Sequence, residues 1–442
     1  MAMQWCHILC LLTLTLHVLS ERVDCQVYDN GTTVCTPMVP AWPATYDLSR
    51  STVIMACNYS GWFDPIFLGK WGLVDLDWSN AKNLWANAKP MDCQERLVEQ
   101  VRAIKAVNPT TRVFIYRNLV KALPWFSDVR TKVNDPAYSG WFLRFKDGIN
   151  GTYRQPPCTG KRCSEFYHDQ WQTPQHPHET QADGGNCTDE CDCGGVPCGE
   201  YLFDHRNDSL RAYLVEQHIM GPDGIGNPLI DGVNLDDRWY DHPFPAGACS
   251  GDPFGGPTEE FSNCTQDMGL TQADTTALHT AWKETMTATY KSILGAGAYT
   301  METFYGIPGA PKQGAACAAY FQRACQQDSS EQRRALFMGF TAPAGKPAYD
   351  QDIATFLLVR GPYAWIGYGW ISCANGASPV GEEGQMFYRP PRLETDFGTP
   401  EGLCAESTAG SGVFTRKWTK GTVSLDCNTW EASFSSQNIA LV

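Results

Sequence analysis

The 442-residue sequence predicts an α/β fold, a (β/α)8 TIM barrel, on three observations. Short β-branched and apolar runs alternate with stretches of helical spacing, the pattern of parallel strands joined by helices. The alternation reaches eight strands, the count at which a parallel sheet closes on itself. Several of the runs also end in a carboxylate or amide on one side-chain phase, as strands do at the catalytic rim of such a barrel. The competing doubly wound open sheet calls for a glycine-rich fingerprint after an early strand, and the sequence has none.

Residues 1–20 read as a signal peptide. The apolar run Ile8 to Leu19 is too short to span a membrane, and a cut is expected after Ser20. Residues 21–50 are a lead-in bearing Pro, Thr and Cys, expected as loop. The barrel is expected over residues 51–384. Its strands are Thr52–Cys57, Leu73–Trp78, Val113–Asn118, Tyr201–Asp204, Val233–Asp237, Tyr299–Phe304, Ala335–Phe340 and Ala364–Trp370. Between them, Leu97, Val98, Val101 and Ile104 give Cys93–Val107 a helical face. Asp92 is its expected cap, and Asn108-Pro109 stops it. Further helices are expected between Pro65 and Trp71 and over Trp125–Val133, Ser209–Met220, Thr271–Leu294, Ala315–Gln326 and Asp352–Val359.

Residues 147–199 break this rhythm with Gly, Pro, His and Cys, and read as a disulfide-stapled insertion on the rim. The spacing Cys187, Cys191, Cys193, Cys198, with His168, His176 and His178 nearby, also permits zinc. A secretory setting favours disulfides, so no metal and no cofactor are expected. From 385 to 442 the helical pattern gives way to a small β module, with Val413–Trp418 and Thr422–Asp426 as strands.

Composition narrows the function. A net charge of −14 argues against nucleic acid and anionic membrane surfaces as partners. No second apolar run is long enough to span a bilayer, which favours a secreted or luminal protein. Of 19 cysteines, Cys6 and Cys10 fall in the leader, and the density of the rest suits an oxidising compartment. Their odd number leaves a free thiol or an intermolecular bridge, and Cys57 is the expected buried thiol. Sequons at Asn30, Asn58, Asn150, Asn186, Asn207 and Asn263 fit a glycoprotein.

The chemistry is expected where polar strand ends converge. Asp231–Trp239 is a turn, a strand, two carboxylates, a cation and an aromatic. Alternation puts Asn234 and Asp236 on one face and Val233 and Leu235 on the other. The same rule groups Asp75 with Asp77, Tyr116 with Asn118, and Glu302 with Thr300 and Phe304. Asp204 closes its own strand in phase with Leu202. Burying so many carboxylates for structure alone costs several kcal/mol each unless they are paired. A carboxylate cluster ringed by aromatics suits cleavage of a glycosidic bond, with one carboxyl protonated and another ionised. Asp236, Asp237, Glu302 and Asp204 are therefore the expected catalytic set. Asp77, Trp78, Arg117, Asn118, Arg238, Trp239, Tyr305 and Trp370 are expected to bind substrate.

Two motifs carry a family resemblance. Asp-Gly-Val-Asn-Leu-Asp-Asp (Asp231 to Asp237) follows Leu-Phe-Asp-His-Arg-Asn-Asp-Ser-Leu-Arg-Ala-Tyr-Leu (Leu202 to Leu214). Together they resemble (β/α)8 glycoside-hydrolase-like proteins, including endo-α-1,4-polygalactosaminidase-like and hypothetical glycosyl hydrolase families. The tail, Gly412 to Trp418 with Thr422 to Asp426, is similar to the β segment that often closes such barrels. The resemblance implies functional positions for Asp204 and Asp236, while Glu302 as their partner comes from strand phase alone. The chain departs from the family in its cysteine-rich insertions and in Asp426, where the tail motif has Asn. The leading expectation is a secreted glycoside hydrolase acting on a poly- or oligosaccharide. The alternatives are an inactive glycan-binding or structural extracellular glycoprotein on the same barrel, and a metalloenzyme using the His/Cys insertion.

Overall fold

The computed structural model describes residues 23–27, 33–37, 40–58, 60–88, 90–144, 166, 168–169, 200–236, 268–300, 303–304, 314–326, 336–338, 349–367 and 388–436. The lead-in is not all loop. β1 (Val23–Val27) and β2 (Thr33–Pro37) form an antiparallel pair.

The centre of the fold is a parallel sheet, which makes the chain α/β. Its strands are β3 (Thr52–Ala56), β4 (Leu73–Leu76), β5 (Arg112–Asn118), β9 (Gly232–Asp236), β10 (Tyr299–Thr300), β11 (Thr303–Phe304), β12 (Leu336–Met338) and β13 (Trp365–Gly367). They pair in the order β10-β9-β5-β4-β3-β13-β12-β11, every neighbour parallel. β10 and β11 are two segments of one expected strand. One pairs with β9 and the other with β12.

One expected barrel strand is absent from this sheet. β8 (Glu200–Leu202) pairs antiparallel with β6 (Lys121–Ala122) and β7 (His168–Asp169) in a separate three-stranded sheet. β5 therefore lies directly beside β9. The alternation of apolar residues within Tyr201–Asp204 suits either sheet, and the partner decides between them. β6 begins three residues after β5 ends, so the small sheet stands just beyond the C-terminal end of β5.

The helices follow apolar spacing closely. α1 (Pro65–Leu68) is a single turn, capped by Asp64 accepting from the Ile66 amide. α2 (Lys82–Trp85) is as short, and α3 (Cys93–Val107) buries Leu97, Val98, Val101 and Ile104. Asp92 precedes α3 but caps no amide; it pairs with Arg96 instead. α4 (Ser127–Val133) is followed by α5 (Asp208–Tyr213), which runs on as a π-helical turn over Leu214–Ile219. α6 (Gln272–Gly295) opens on a reciprocal capping box between Thr271 and Asp274. α7 (Ala315–Ala324) and α8 (Tyr349–Val359) complete the described α-helices.

Inside the sheet the side chains fall into layers, as in a filled parallel barrel. At the N-terminal ends Trp42 packs against Phe114, Tyr299 and Trp365, with ring centroids 6.2–6.4 Å apart. Gly232 leaves room for this layer, because a Cβ there would lie 2.5 Å from the Phe114 ring and 2.4 Å from the Tyr299 carbonyl. The next layers toward the C-terminal ends are polar.

After residue 388, β14 (Ala405–Glu406), β15 (Val413–Trp418), β16 (Gly421–Asp426) and β17 (Glu431–Ser436) form an antiparallel sheet in sequence order. Phe414, Trp418, Val423 and Leu425 share one buried cluster with Phe321 of α7 and Phe356 and Leu357 of α8. Arg416 donates to the carbonyls of Leu357, Leu358 and Arg360, supplying a cation to the C-terminus of α8. Disulfides Cys317–Cys427 and Cys325–Cys404 tie α7 to this sheet.

The expected buried thiol is placed elsewhere. Cys57 is disulfide-bonded. Among the described residues the free cysteine is Cys93, buried at the start of α3 with its thiol donating to the Trp78 carbonyl at 3.3 Å. The cysteine-rich insertion and its zinc alternative lie almost wholly outside the described residues, as does the proposed leader. Among the described residues no helix is long and apolar enough to cross a membrane.

Candidate active site

Alternation along β4, β5 and β9 assembles a polar cluster toward the C-terminal ends. Register pairs Tyr116 with Asn234 and Asn118 with Asp236. Below the rim, the Asn234 amide donates to Asp75 Oδ2 at 2.9 Å and lies 3.3 Å from the Met55 sulfur. Met55 has a left-handed backbone, φ 53°, where the pairing of β3 with β4 slips between Val53 and Ala56. A bulge of this kind re-aims a side chain at the end of a strand. Here it brings Met55 to Asn234.

One step nearer the rim, the Tyr116 hydroxyl donates to Asp236 Oδ2 at 2.9 Å, and Asn118 Nδ2 donates to the Tyr116 oxygen at 2.9 Å. Asp236 is half-buried. Tyr116 stands beside Trp78, whose ring lies 4.8 Å from that of Trp125 and 4.4 Å from the Lys82 ammonium. Trp78 is half-buried, so part of this aromatic wall reaches solvent.

Burial dominates the electrostatics. It lifts the Asp75 carboxyl well above the ordinary carboxylate range; the Asn234 hydrogen bond opposes the rise and the charges of Asp77 and Asp236 add to it. Asp77 is pushed up to about 6 by burial, against hydrogen bonds from Ser79 and the charge of Lys82. Among the described residues, no side-chain or backbone group donates to the Oδ1 of either carboxyl.

Asp77 should also set a pH dependence of folding. The folded carboxyl holds its proton to about 6, whereas the unfolded one releases it near 3.8. The folded state therefore binds the extra proton between those values, and stability falls as pH rises through them. The loss is complete above about pH 6 and amounts to about 3 kcal/mol. Asp77→Asn retains an acceptor for Ser79. In urea unfolding it is expected to gain on the wild type as pH rises from about 4 to about 7. Parallel stability curves for the two proteins would mean that burial does not perturb Asp77.

The remaining expected site residues separate into three groups. Asp77, Trp78, Asn118 and Asp236 come together as described. Arg117 does not join them, because alternation turns it to the opposite face of β5. There, fully buried, it donates to the carbonyls of His218, Tyr116 and Asp223. It ties β5 to the helical layer and cannot reach a substrate at the rim. Asp204 also stands apart, beyond β8, where Arg206 grips both its oxygens at 2.8 Å and bridges on to Asp274. Asp237, Arg238, Trp239, Glu302, Tyr305 and Trp370 lie outside the described residues.

The phase expected for Tyr299–Phe304 needs correction. Tyr299 pairs with Gly232 and meets Trp42 in the interior, while Thr300 pairs with Val233 on the outer face. Thr300 is thus not an inward residue, which removes the argument by phase for Glu302. Sequence reasoning recognised the inward faces of Asp75, Tyr116 and Asn234 but left all three out of the site. Their alternation with Leu76, Ile115 and Leu235 was the available signal. Of the sequons, Asn58 is exposed, and Asn207 caps α5 by accepting from the Ser209 amide at 3.0 Å. Asn30, Asn150, Asn186 and Asn263 lie outside the described residues.

No family model matches the chain, and no curated protein sequence matches it. Among solved structures it is similar to cyclic α-maltosyl-(1→6)-maltose hydrolase from Arthrobacter globiformis, with 11% identity over 87% of this chain and 91% of that one and a TM-score of 0.42. It is also similar to a Nostoc punctiforme debranching enzyme, with 12% identity over 82% and 75% of the two chains and a TM-score of 0.36. For trehalose-6-phosphate hydrolase from Bacillus licheniformis the identity is 10% over 74% and 58%, with a TM-score of 0.32. Likeness of this degree carries no weight for the activity of this chain.

Proposed function

We propose that this chain is a secreted glycoside hydrolase, cleaving an oligo- or polysaccharide by carboxylate chemistry at the C-terminal ends of its parallel strands. In this reading β10 and β11, at the two ends of the strand order, close the sheet into a barrel. Asp236 is the carboxylate that attacks the sugar or activates water, and Asp77 is the group that carries the proton to the leaving oxygen. The observation that supports it is the split between two carboxyls whose charges both act on Asp75. Asp236 is half-buried and accepts from a phenol, whereas Asp77 is fully buried and retains its proton to about 6. Environments that separate two carboxyls in this way distinguish the ionised from the protonated partner of a glycosidase pair. Trp78 supplies a partly exposed aromatic edge for a sugar face. The resemblance of Asp231–Asp237 to glycoside-hydrolase-like proteins points the same way, as do the leader and sequons for secretion.

The test is a reducing-end assay of the secreted protein on a broad glycan panel, with Asp236→Asn, Asp77→Asn and Glu302→Gln beside it. Hydrolysis lost in Asp236→Asn and Asp77→Asn but kept in Glu302→Gln is the expected result. Loss in Glu302→Gln with activity kept in Asp77→Asn would transfer the proton-donor role to Glu302. Saccharide binding with no new reducing ends would overturn the enzyme reading in favour of a glycan-binding protein. The complete burial of Asp75 and Asp77 favours that second reading.

A further inference from the structure

We infer that Asn118 and Tyr116 are positioning residues, a hydrogen-bond relay that commits Asp236 to the ionised, accepting role, and not sugar-binding groups. The inference deepens the reading of Asp236 as the reacting carboxylate and rests on it for its catalytic meaning. The relay itself follows from the geometry of three side chains.

The direction of each bond is fixed by the one before it. Asn118 Oδ1 accepts from the backbone amides of Val120 at 2.9 Å and Lys121 at 2.7 Å. An amide NH2 cannot accept, so these two bonds settle which end of the Asn118 side chain is oxygen. Nδ2 must then face Tyr116, where it lies 2.9 Å from the phenol oxygen. The phenol has one hydrogen. With its oxygen receiving from Asn118, that hydrogen is directed to Asp236 Oδ2, 2.9 Å away. The bond runs one way, with Tyr116 donating and Asp236 accepting. A protonated Asp236 offering its own hydrogen at Oδ2 would meet the phenol hydrogen in the space between the two oxygens.

The relay is also held stiffly. The Tyr116 ring lies nearly parallel to Phe126, at an interplanar angle of 5°, and Asn118 is anchored by the backbone that leads into β6. Register sets Asn118 beside Asp236 on the neighbouring strand. Of the described titratable groups, Tyr116 on β5 and Asp75 on β4 face Asp236. Both polar ends of Asn118 are used inside the protein.

A carboxyl titration by NMR tests the relay without any substrate. With aspartate labelled at the carboxyl carbon, Asp236 is assigned by the signal lost in Asp236→Asn. Tyr116→Phe keeps the ring and removes the donor, and the Asp236 titration is expected to move up by about one pH unit. Asn118→Asp keeps an acceptor for the two backbone amides but offers the phenol a competing carboxylate, so the shift should have the same sign. If the wild type hydrolyses a glycan, both variants should lower kcat with KM nearly unchanged; a sugar-binding role would raise KM instead. An Asp236 titration that stays within about 0.2 units of wild type in Tyr116→Phe overturns the relay, whatever Asn118→Asp does, because that variant also adds a like charge. A wild type that hydrolyses nothing while the shift occurs would sink the enzyme reading and leave the relay standing.

Discussion

Asp236→Asn is expected to lower turnover by about 10²–10⁴-fold while the protein unfolds at the same urea concentration as wild type. The two halves of this expectation come from one geometry. An asparagine at 236 has the shape of the aspartate, and its Oδ1 can accept the hydrogen that Tyr116 donates at 2.9 Å in the native protein. The relay from Asn118 is therefore kept. Asp75 loses a like charge from its surroundings, which eases the burial of that carboxyl rather than straining it. The amide can neither attack a sugar carbon nor take a proton from water at neutral pH, so the chemical step fails while the fold persists. Binding should survive, because Trp78 and the aromatic wall behind it are untouched. The check is kcat and KM on the glycan identified in the panel assay, with urea unfolding of the same preparations. Turnover within about threefold of wild type, against the expected loss, would remove Asp236 from the chemistry. Loss of both activity and folding would give it a structural role.

Much of this site was legible in the sequence because it depends on alternation, a local property. Asn234 and Asp236 share a face opposite Val233 and Leu235, and the fold keeps that phase. The same rule placed Arg117 on the wrong side of β5 for a substrate contact. Its charge made it attractive as a ligand group, but its parity with Ile115 sends it to the carbonyls of His218 and Asp223. What failed were properties set by partners far away in the chain. Tyr201–Asp204 has the composition of a barrel strand, yet its backbone pairs with Lys121–Ala122 and His168–Asp169. Nothing within those four residues records that choice. Asp204 lies past the end of β8, and Arg206, two residues on, claims both its oxygens. The state of Cys57 and Cys93 was equally non-local, since a thiol's partner is decided by the approach of two distant segments. Trp42 went unrecognised as the filling of the N-terminal layer because a lone tryptophan in a proline-rich lead-in has no period to betray it.

Replacing Cys317 and Cys427 together by serine is expected to cost about 3–5 kcal/mol, seen as a fall in the urea midpoint of the whole protein. The bridge joins positions 110 residues apart, so in the unfolded chain it removes the freedom of a long loop. The entropy of loop closure grows only with the logarithm of length, so the cost stays within the ordinary range even though Cys325–Cys404 shortens the path inside this loop. Cys325–Cys404, separated by 79 residues, lies wholly within that loop. With either bridge intact, removing the other should cost less than its own separation implies, because the remaining bridge already shortens the chain between its ends. The two bridges also test whether the C-terminal sheet is an independent appendage. Its buried face shares one apolar cluster with α7 and α8, and Arg416 holds the end of α8. Loosening the sheet therefore exposes Phe321 and Phe356, which belong to helices of the main body. A single cooperative transition, moved to lower urea, is the expected form of the change. An early separate transition of the sheet, with the parallel strands unfolding at their original midpoint, would show that the shared cluster does not couple them.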